Sequence, residues 1–285
     1  MKSVVQKQKR ILAIHDISCV GRCSLTVAQP IISAAGIETS VIPTAILSTH
    51  TGGFVGYTYR DLTDDILPIV KHWQSLDIHF DAIYTGFLGS IRQIALIAEI
   101  ISKLRTPTTQ VIVDPVMADN GSLYSIFPSD YPTHMRKLVE IADVVIPNIT
   151  EATLLTQEKY SPGPYSVDTI NGIMQKLAAL GPKSVVLTGV FFDNNRLGTA
   201  SLASAEGKID FTMKEYVPTS IHGTGDVFGS ALVAALVHGF TLQKSCDVAA
   251  DFTVDCIKRT FSAATDLRYG VNFEAGLHNF SKLFV

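Results

Sequence analysis

Short apolar runs recur along the chain, separated by longer stretches with helical spacing. The runs are Ile11–Ile14, Thr39–Pro43, Ala82–Thr85, Val111–Asp114, Val144–Ile146 and Val185–Thr188. They are nearly continuous in apolar, mostly β-branched residues rather than alternating, as strands covered on both faces should be. Helical spacing lies between them over Leu25–Ala35, Ile91–Leu104, Tyr131–Ile141 and Thr169–Leu180, the last stopped by Gly181-Pro182. This alternation predicts an α/β fold: a doubly wound, mostly parallel central sheet with helices on both faces. Past Thr188 the pattern changes to an antiparallel hairpin, Leu197–Ala203 with Lys208–Met213, and then two long helices. With no linker, repeat or low-complexity stretch, residues 1–285 read as one domain. Asp266–Val285 reads as a closing helix, and Ser161–Pro164 as a surface loop.

Only 17% of the residues are charged and 47% are hydrophobic, and mean hydropathy is +0.27. No apolar run approaches the ~18 residues that span a bilayer, so the apolar content points to a large core and no membrane partner. The basic opening through Arg10 is followed by an apolar stretch broken at His15 and Asp16, which is not the pattern of a secretory leader. The net charge of −3 and the absence of a basic cluster argue against nucleic acid as a partner. The four cysteines, Cys19, Cys23, Cys246 and Cys256, form no disulfide or zinc pattern and read as buried, reduced thiols. A cytoplasmic location follows as the expectation.

The strongest local signal is His222-Gly223-Thr224-Gly225-Asp226 at the start of an apolar helix running to about Val237. Gly223 and Gly225 allow a sharp, close-packed turn that leaves backbone N–H groups free at a helix N-terminus, an anion site. A carboxylate there, Asp226, is placed to take a proton from a hydroxyl while the nest, with Thr224, holds a phosphoryl group. Neither a dinucleotide-binding fingerprint, nor a P-loop, nor the protein-kinase signatures are present.

In a doubly wound sheet, ligands bind beyond the carboxyl ends of the strands. Asp114 stands at one such end, followed by Asp119 in a flexible stretch, and Pro147-Asn148-Ile149-Thr150-Glu151 follows another. Asn148 and Glu151 also have the spacing of a helix capping box, so capping and ligand binding are both open for them. Thr188 ends a further strand. These sets contain no lysine, so a triphosphate's charge would fall to Mg²⁺ held through Asp114 and Glu151. Asp16 and Ser18 follow the first strand, His50, Thr51 and Gly52 the second, and Phe87 the third. Polar groups with an aromatic ring suit a small, flat heteroaromatic substrate. The bland alternatives are capping and core packing.

Taken together, Asp114-Pro115-Val116-Met117, Asn148-x-x-Glu151 and Gly223-Thr224-Gly225-Asp226 resemble the motifs of the pyridoxal (vitamin B6) kinases of the ribokinase-like superfamily. Hydroxymethylpyrimidine kinases of thiamine synthesis are close behind. The likeness runs from Ile11 to the end of the Val227–Val237 helix. It implies a small-molecule kinase, often a homodimer, that uses MgATP to phosphorylate a hydroxymethyl group, with a monovalent cation as a further candidate cofactor. The resemblance makes Asp226 the base and Gly223, Thr224 and Gly225 the anion hole. It makes Asp114 and Glu151 organisers of Mg²⁺ and phosphates, with Asn148, Thr188 and Asp119 on the nucleotide side. The segment Met117–Ser129 resembles the loop that covers ATP. Asp16, Ser18, His50, Thr51, Gly52 and Phe87 fall on the substrate side. Two departures stand out: Asp16 where pyridoxal kinases commonly have serine, and Phe87 where they have tyrosine. A non-catalytic B6-binding protein on this fold is the alternative from another class.

Overall fold

Alternation of burial along the strands builds two apolar layers, one on each face of a single large sheet. The structure is a computed structural model and describes residues 8–218 and 221–285. The opening segment through Lys7, part of the stretch read as lacking a leader, lies outside the described residues. The chain runs β1 (Arg10–Ser18), α1 (Leu25–Ala34), β2 (Glu38–Leu47), β3 (Tyr59–Asp61), α2 (Thr63–Ser75), β4 (Ala82–Thr85) and α3 (Ile91–Leu104). It continues through β5 (Gln110–Val113), β6 (Ala118–Asp119), β7 (Ser122–Leu123), α4 (Tyr131–Ile141), β8 (Val144–Val145), α5 (Ile149–Thr156) and α6 (Val167–Ala178). Strands β9 (Ser184–Asp193), β10 (Arg196–Ala203) and β11 (Ile209–Glu215) precede α7 (Thr224–Val237), α8 (Leu242–Ser262) and α9 (Leu277–Ser281).

The main sheet has the order β11-β10-β9-β8-β5-β4-β1-β2-β3. The six central strands from β9 to β2 are parallel, while β10, β11 and β3 are antiparallel additions at the two edges. Leu12 and Ile14 pack with α2, α3, α4 and α6 on one face, whereas Ile11, Ala82 and Ile112 pack with α1, α7 and α8 on the other. Strand order reverses between β1 and β4, and the crevice at their carboxyl ends is where such a sheet binds ligands.

Several boundaries differ from expectation for identifiable reasons. β1 runs on through Asp16 to Ser18 because it keeps pairing with β2, Ser18 opposite Leu47, and β9 runs on through Thr188 to Asp193 because it keeps pairing with β10, Asp193 opposite Arg196, so these site candidates lie within strands rather than after them. Pro43 does not end β2. The strand continues to Leu47, and the missing proline N–H is absorbed by a register shift, His15 pairing with Pro43 but Ile17 with Ile46. β3 is three exposed residues long, too short to announce itself by pattern. The closing helix expected over Asp266–Val285 is instead two 3₁₀ turns, the five-residue α9 and a final 3₁₀ turn. Gly270, at φ +82°, breaks it, and Val271, Phe273 and Phe280 are buried against α8 and its neighbours. The cysteines are all free, but Cys19 is exposed and Cys23 only partly buried, which corrects the expectation of four buried thiols. Among the described residues no helix is long and apolar enough to cross a membrane.

Candidate active site

Helix α7 enters the site from Gly223, whose φ of +80° is the left-handed conformation that favours glycine. A Cβ there would lie 2.1 Å from the carbonyl oxygen of Arg22, so the turn before α1 and the turn before α7 are packed backbone to backbone. The first helical hydrogen bond of α7 runs from Val227 N–H to Gly223 C=O, which leaves the N–H groups of Thr224, Gly225 and Asp226 without helical partners. Nothing lies within 4 Å of the position a Cβ would take on Gly225, so the nest is open to an incoming anion. The Thr224 hydroxyl donates back to Ile221 C=O at 3.2 Å. Ten of the fourteen residues of α7 are buried, which holds this N-terminus rigid.

Asp226 is surrounded by protein but keeps part of its surface open. Burial pushes its carboxyl above the usual range, against the pull of the Ser24 N–H and the Cys23 thiol. Asp16, 5% exposed at the end of β1, is pushed up to about 6 by burial, with the charge of Asp226 adding to the shift and the hydroxyls of Ser24 and Ser18 opposing it. Ser18 Oγ donates to Asp16 Oδ2 at 3.3 Å. Ser24 holds a left-handed φ of +55°, strained for a non-glycine residue, and serves both carboxylates from one position. Cys23 and Ser24 carried no chemical signal in the sequence; only Ser24, just before a helix, stood at a recognisable cap position.

Asp114 lies one residue beyond β5, its N–H bonded to Thr85 C=O. Burial and then the charges of Glu151 and Asp226 raise its carboxyl well above the ordinary range. Asn148 and Glu151 do form the capping box of α5: Asn148 Oδ1 accepts from Glu151 N–H at 2.9 Å and Glu151 Oε2 from Asn148 N–H at 2.8 Å. Both also reach the next loop. Asn148 Nδ2 donates to Ala118 C=O at 2.8 Å, and Glu151 Oε1 accepts from Met117 N–H at 3.1 Å. Glu151 is 3% exposed, and burial drives its carboxyl up to about 8 although these backbone donors favour the charged form. Capping and loop positioning are therefore joint tasks of the Asn148/Glu151 pair.

The Met117–Ser129 loop is built on the β6–β7 hairpin. Asn120 (φ +50°) and Gly121 (φ +79°) supply the two left-handed residues its two-residue turn demands. Gly121 N–H donates to Thr150 Oγ1 at 3.0 Å, fastening the turn to α5. Asp119 is exposed and accepts from Asn120 N–H at 2.9 Å. Farther along, Phe127 stacks on Tyr131 with centroids 3.8 Å apart and meets Phe87 at 5.6 Å. The aromatic row joins this loop to the substrate side, a link the sequence did not disclose. Thr188, midway along β9, bridges to Asn148, its N–H bonded to Pro147 C=O at 2.9 Å.

On the substrate side the extra residue of β2 opposite Asp16 aims Thr44 Oγ1 at Phe87 C=O, 3.2 Å away. Phe87 itself is partly exposed. His50 is 4% exposed and both its ring nitrogens are engaged: Nδ1 accepts from Gly52 N–H at 3.1 Å, which leaves Nε2–H to donate to Arg268 C=O at 2.7 Å. His50 thus ties the loop after β2 to the C-terminal segment rather than presenting a free nitrogen. Gly52 abuts the ring of His222, and Thr51 is exposed.

Among the described residues no three His, Cys, Asp or Glu side chains gather as a metal cluster. Asp114 nevertheless suits Mg²⁺, which takes one or two carboxylates and completes its shell with water and phosphate oxygens. Glu151, with both oxygens bonded to backbone, suits a supporting place.

Comparison with known proteins bears on the fold and the family. The phosphomethylpyrimidine kinase family matches residues 32–269. A Bacteroides thetaiotaomicron protein provisionally assigned as a phosphomethylpyrimidine kinase superposes with a TM-score of 0.93 at 36% identity, covering 97% of this chain and 95% of that one. An orthorhombic crystal form of the same assignment from that organism was solved with pyridoxal (TM-score 0.91, 36% identity, 96% of each chain). The pyridoxal kinase of Lactobacillus plantarum gives a TM-score of 0.88 at 30% identity over 98% of both chains. The pyridoxal kinase of Sus scrofa is 26% identical over 276 residues, 90% of this chain and 84% of that protein. Fold and site define a small-molecule kinase of the ribokinase-like superfamily. Within it, the chain belongs to the phosphomethylpyrimidine kinase family.

Proposed function

We propose that this protein transfers the γ-phosphoryl group of ATP to the 5-hydroxymethyl group of pyridoxal, pyridoxine or pyridoxamine, salvaging the vitamin as its 5′-phosphate. The observation that carries this reading is the placement of Asp226 in the first turn of α7, beside an open anion nest and electrostatically coupled to both Asp16 and Asp114. Asp226 takes the proton of the substrate hydroxyl as its oxygen forms a bond to Pγ. The bond from Pγ to the β–γ bridging oxygen breaks, and ADP leaves. In the nest of Gly223, Thr224 and Gly225, the left-handed turn at Gly223 presents the free N–H groups of Thr224 and Gly225 to the charge on the transferred group, which is positioning and electrostatic work. Asp114, with Glu151 in support, would hold Mg²⁺, which would neutralise the triphosphate charge. Asn148, Thr188 and Asp119 serve the nucleotide side; Asp16, Ser18, Thr51, Gly52 and Phe87 line the vitamin side, with His50 bracing their loop.

The pyridoxal-bound Bacteroides relative and the pyridoxal kinases among the relatives favour the B6 ring. Phosphorylation of hydroxymethylpyrimidine is the second reading, favoured by the family match and by the Bacteroides assignment. We read residues 1–285 as one kinase domain that works in the cytoplasm as a homodimer. A coupled ADP-release assay over the three vitamers and hydroxymethylpyrimidine tests the reading. Turnover highest on a vitamer is expected. Turnover only on the pyrimidine selects the second reading, and pyridoxal binding without ADP release selects a non-catalytic binding protein.

A further inference from the structure

One buried group beside the carboxylates has no part in the chemistry above. Tyr84, on β4, is fully buried, and its hydroxyl makes no well-formed hydrogen bond among the described residues, with the Ser230 hydroxyl as a neighbour. Its ring is held edge-on by His15, with centroids 4.6 Å apart, and His15 is itself 1% exposed with both ring nitrogens unpartnered. Burial keeps His15 neutral, its pKa lowered to about 3. A buried phenol without a well-formed hydrogen bond is uncommon and costly, and phenylalanine would fill the same volume without that penalty.

The hydroxyl has a defined place. It lies under α7 against Gly229, where a Cβ would come within 2.4 Å of Tyr84 Oη and 3.7 Å of Asp114 Oδ2. Glycine at this point of the helix therefore leaves the phenol and the Asp114 carboxyl bordering the same gap. The next residue, Ser230, already donates its own hydroxyl to Asp226 C=O at 2.5 Å. Burial and the charges of Asp114 and Asp226 hold the phenol protonated, so it acts only as a neutral donor or acceptor.

We propose that Tyr84 is a positioning residue for phosphoryl transfer: on metal–nucleotide binding its hydroxyl, which makes no such bond in this structure, donates to Asp114 Oδ2 and sets which carboxylate oxygen faces the metal–nucleotide. Gly229 leaves the phenol the room it needs beside that carboxyl. The inference rests on the kinase reading above, because it gives Asp114 its task.

Tyr84→Phe removes only the oxygen, and Tyr84→Leu serves as a second variant should the first fail to fold. Full-length wild type, Tyr84→Phe, Asp114→Asn and the double variant are compared by thermal-shift titration with Mg²⁺ and ADP, and by the Mg²⁺ dependence of turnover. Tyr84→Phe is expected to keep or raise the Tm of the free protein. It weakens Mg²⁺·ADP binding by about 5- to 20-fold, the reach of one hydrogen bond to a charged group. That loss disappears in the Asp114→Asn background, as it must if Tyr84 acts through Asp114. Unchanged Mg²⁺·ADP binding, or an equal loss in both backgrounds, overturns the proposal. A wild-type chain that binds Mg²⁺·ADP but phosphorylates no alcohol defeats the proposed function and leaves the Tyr84 result standing. A wild-type chain with no Mg²⁺·ADP shift overturns both.

Discussion

Glu151 Oε1 accepts a hydrogen bond from the backbone N–H of Met117 at 3.1 Å, across 34 residues of sequence. Its other oxygen caps α5 through Asn148 N–H. One carboxyl group thus fixes both the start of a helix and the root of the Met117–Ser129 loop. Glu151→Ala leaves two buried backbone donors without acceptors. We expect a stability loss of about 1–3 kcal/mol and a KM for ATP at least ~10-fold higher. Faster hydrogen exchange at the Met117 and Ala118 amides, with KM for the alcohol little changed, is the accompanying signature. Unchanged exchange there refutes the strut.

Asp226→Asn preserves the side-chain shape and an oxygen that can face the Ser24 N–H. Turnover is expected to fall by about 10²–10⁴, the usual reach of general-base catalysis, while ATP binding and Tm stay near wild type. Because burial raises the carboxyl of Asp226, the acid limb of wild-type kcat should lie above the ordinary aspartate range. A variant with near-normal turnover removes Asp226 from the role of base.

Asp16 carries a pH signature in stability. Its carboxyl titrates near 3.8 in an unfolded chain and at about 6 in the folded one. The raised value means its favourable contribution is complete below pH 3.8 and is lost as pH rises to about 6. Asp16→Asn, which cannot ionise, should therefore be more stable than wild type at pH 7.5 by about 2–3 kcal/mol and equal to it near pH 4. Urea denaturation at the two values decides the matter; the same difference at both means that ionisation is not the cause. The variant should also alter relative kcat/KM among the three vitamers, because Asp16 is the only carboxylate assigned to their side of the crevice.

His50→Ala cuts the tie between the loop after β2 and the C-terminal segment at Arg268. Burial lowers the pKa of His50, so the neutral ring holds both bonds; as pH falls through that lowered value Nδ1 is protonated and the Gly52 bond is lost, while Nε2–H keeps its bond to Arg268 C=O. The expected result is about 1–3 kcal/mol less stability and a several-fold higher KM for the alcohol, with KM for ATP unchanged. Limited proteolysis should cut first within residues 51–57; cleavage elsewhere first counts against the tie.

Much of this was legible because the signals are local. Gly223-Thr224-Gly225-Asp226 is a turn and a helix start in five contiguous residues with His222, and Asn148 to Glu151 is one helical turn. The same local rule failed at the C-terminus, where apolar residues after Asp266 suggested a helix but Gly270 breaks it and burial against α8 selects short turns. It also misjudged Cys19 and Cys23, whose exposure depends on a turn packed against Gly223, two hundred residues on in the chain.

The continuous apolar runs determined, by themselves, a parallel sheet covered on both faces, and with it the edge at which functional groups must lie. Capping and turn chemistry determined Asp226 and the Asn148/Glu151 pair. Only the tertiary structure decided which groups face one another. Strand order brought β1, β4 and β5 side by side, so that Asp16, Tyr84 and Asp114 became neighbours of Asp226 on α7. Periodicity specifies which face a residue occupies, but pairing between distant strands specifies its partners, and burial among those partners sets how readily each carboxyl ionises.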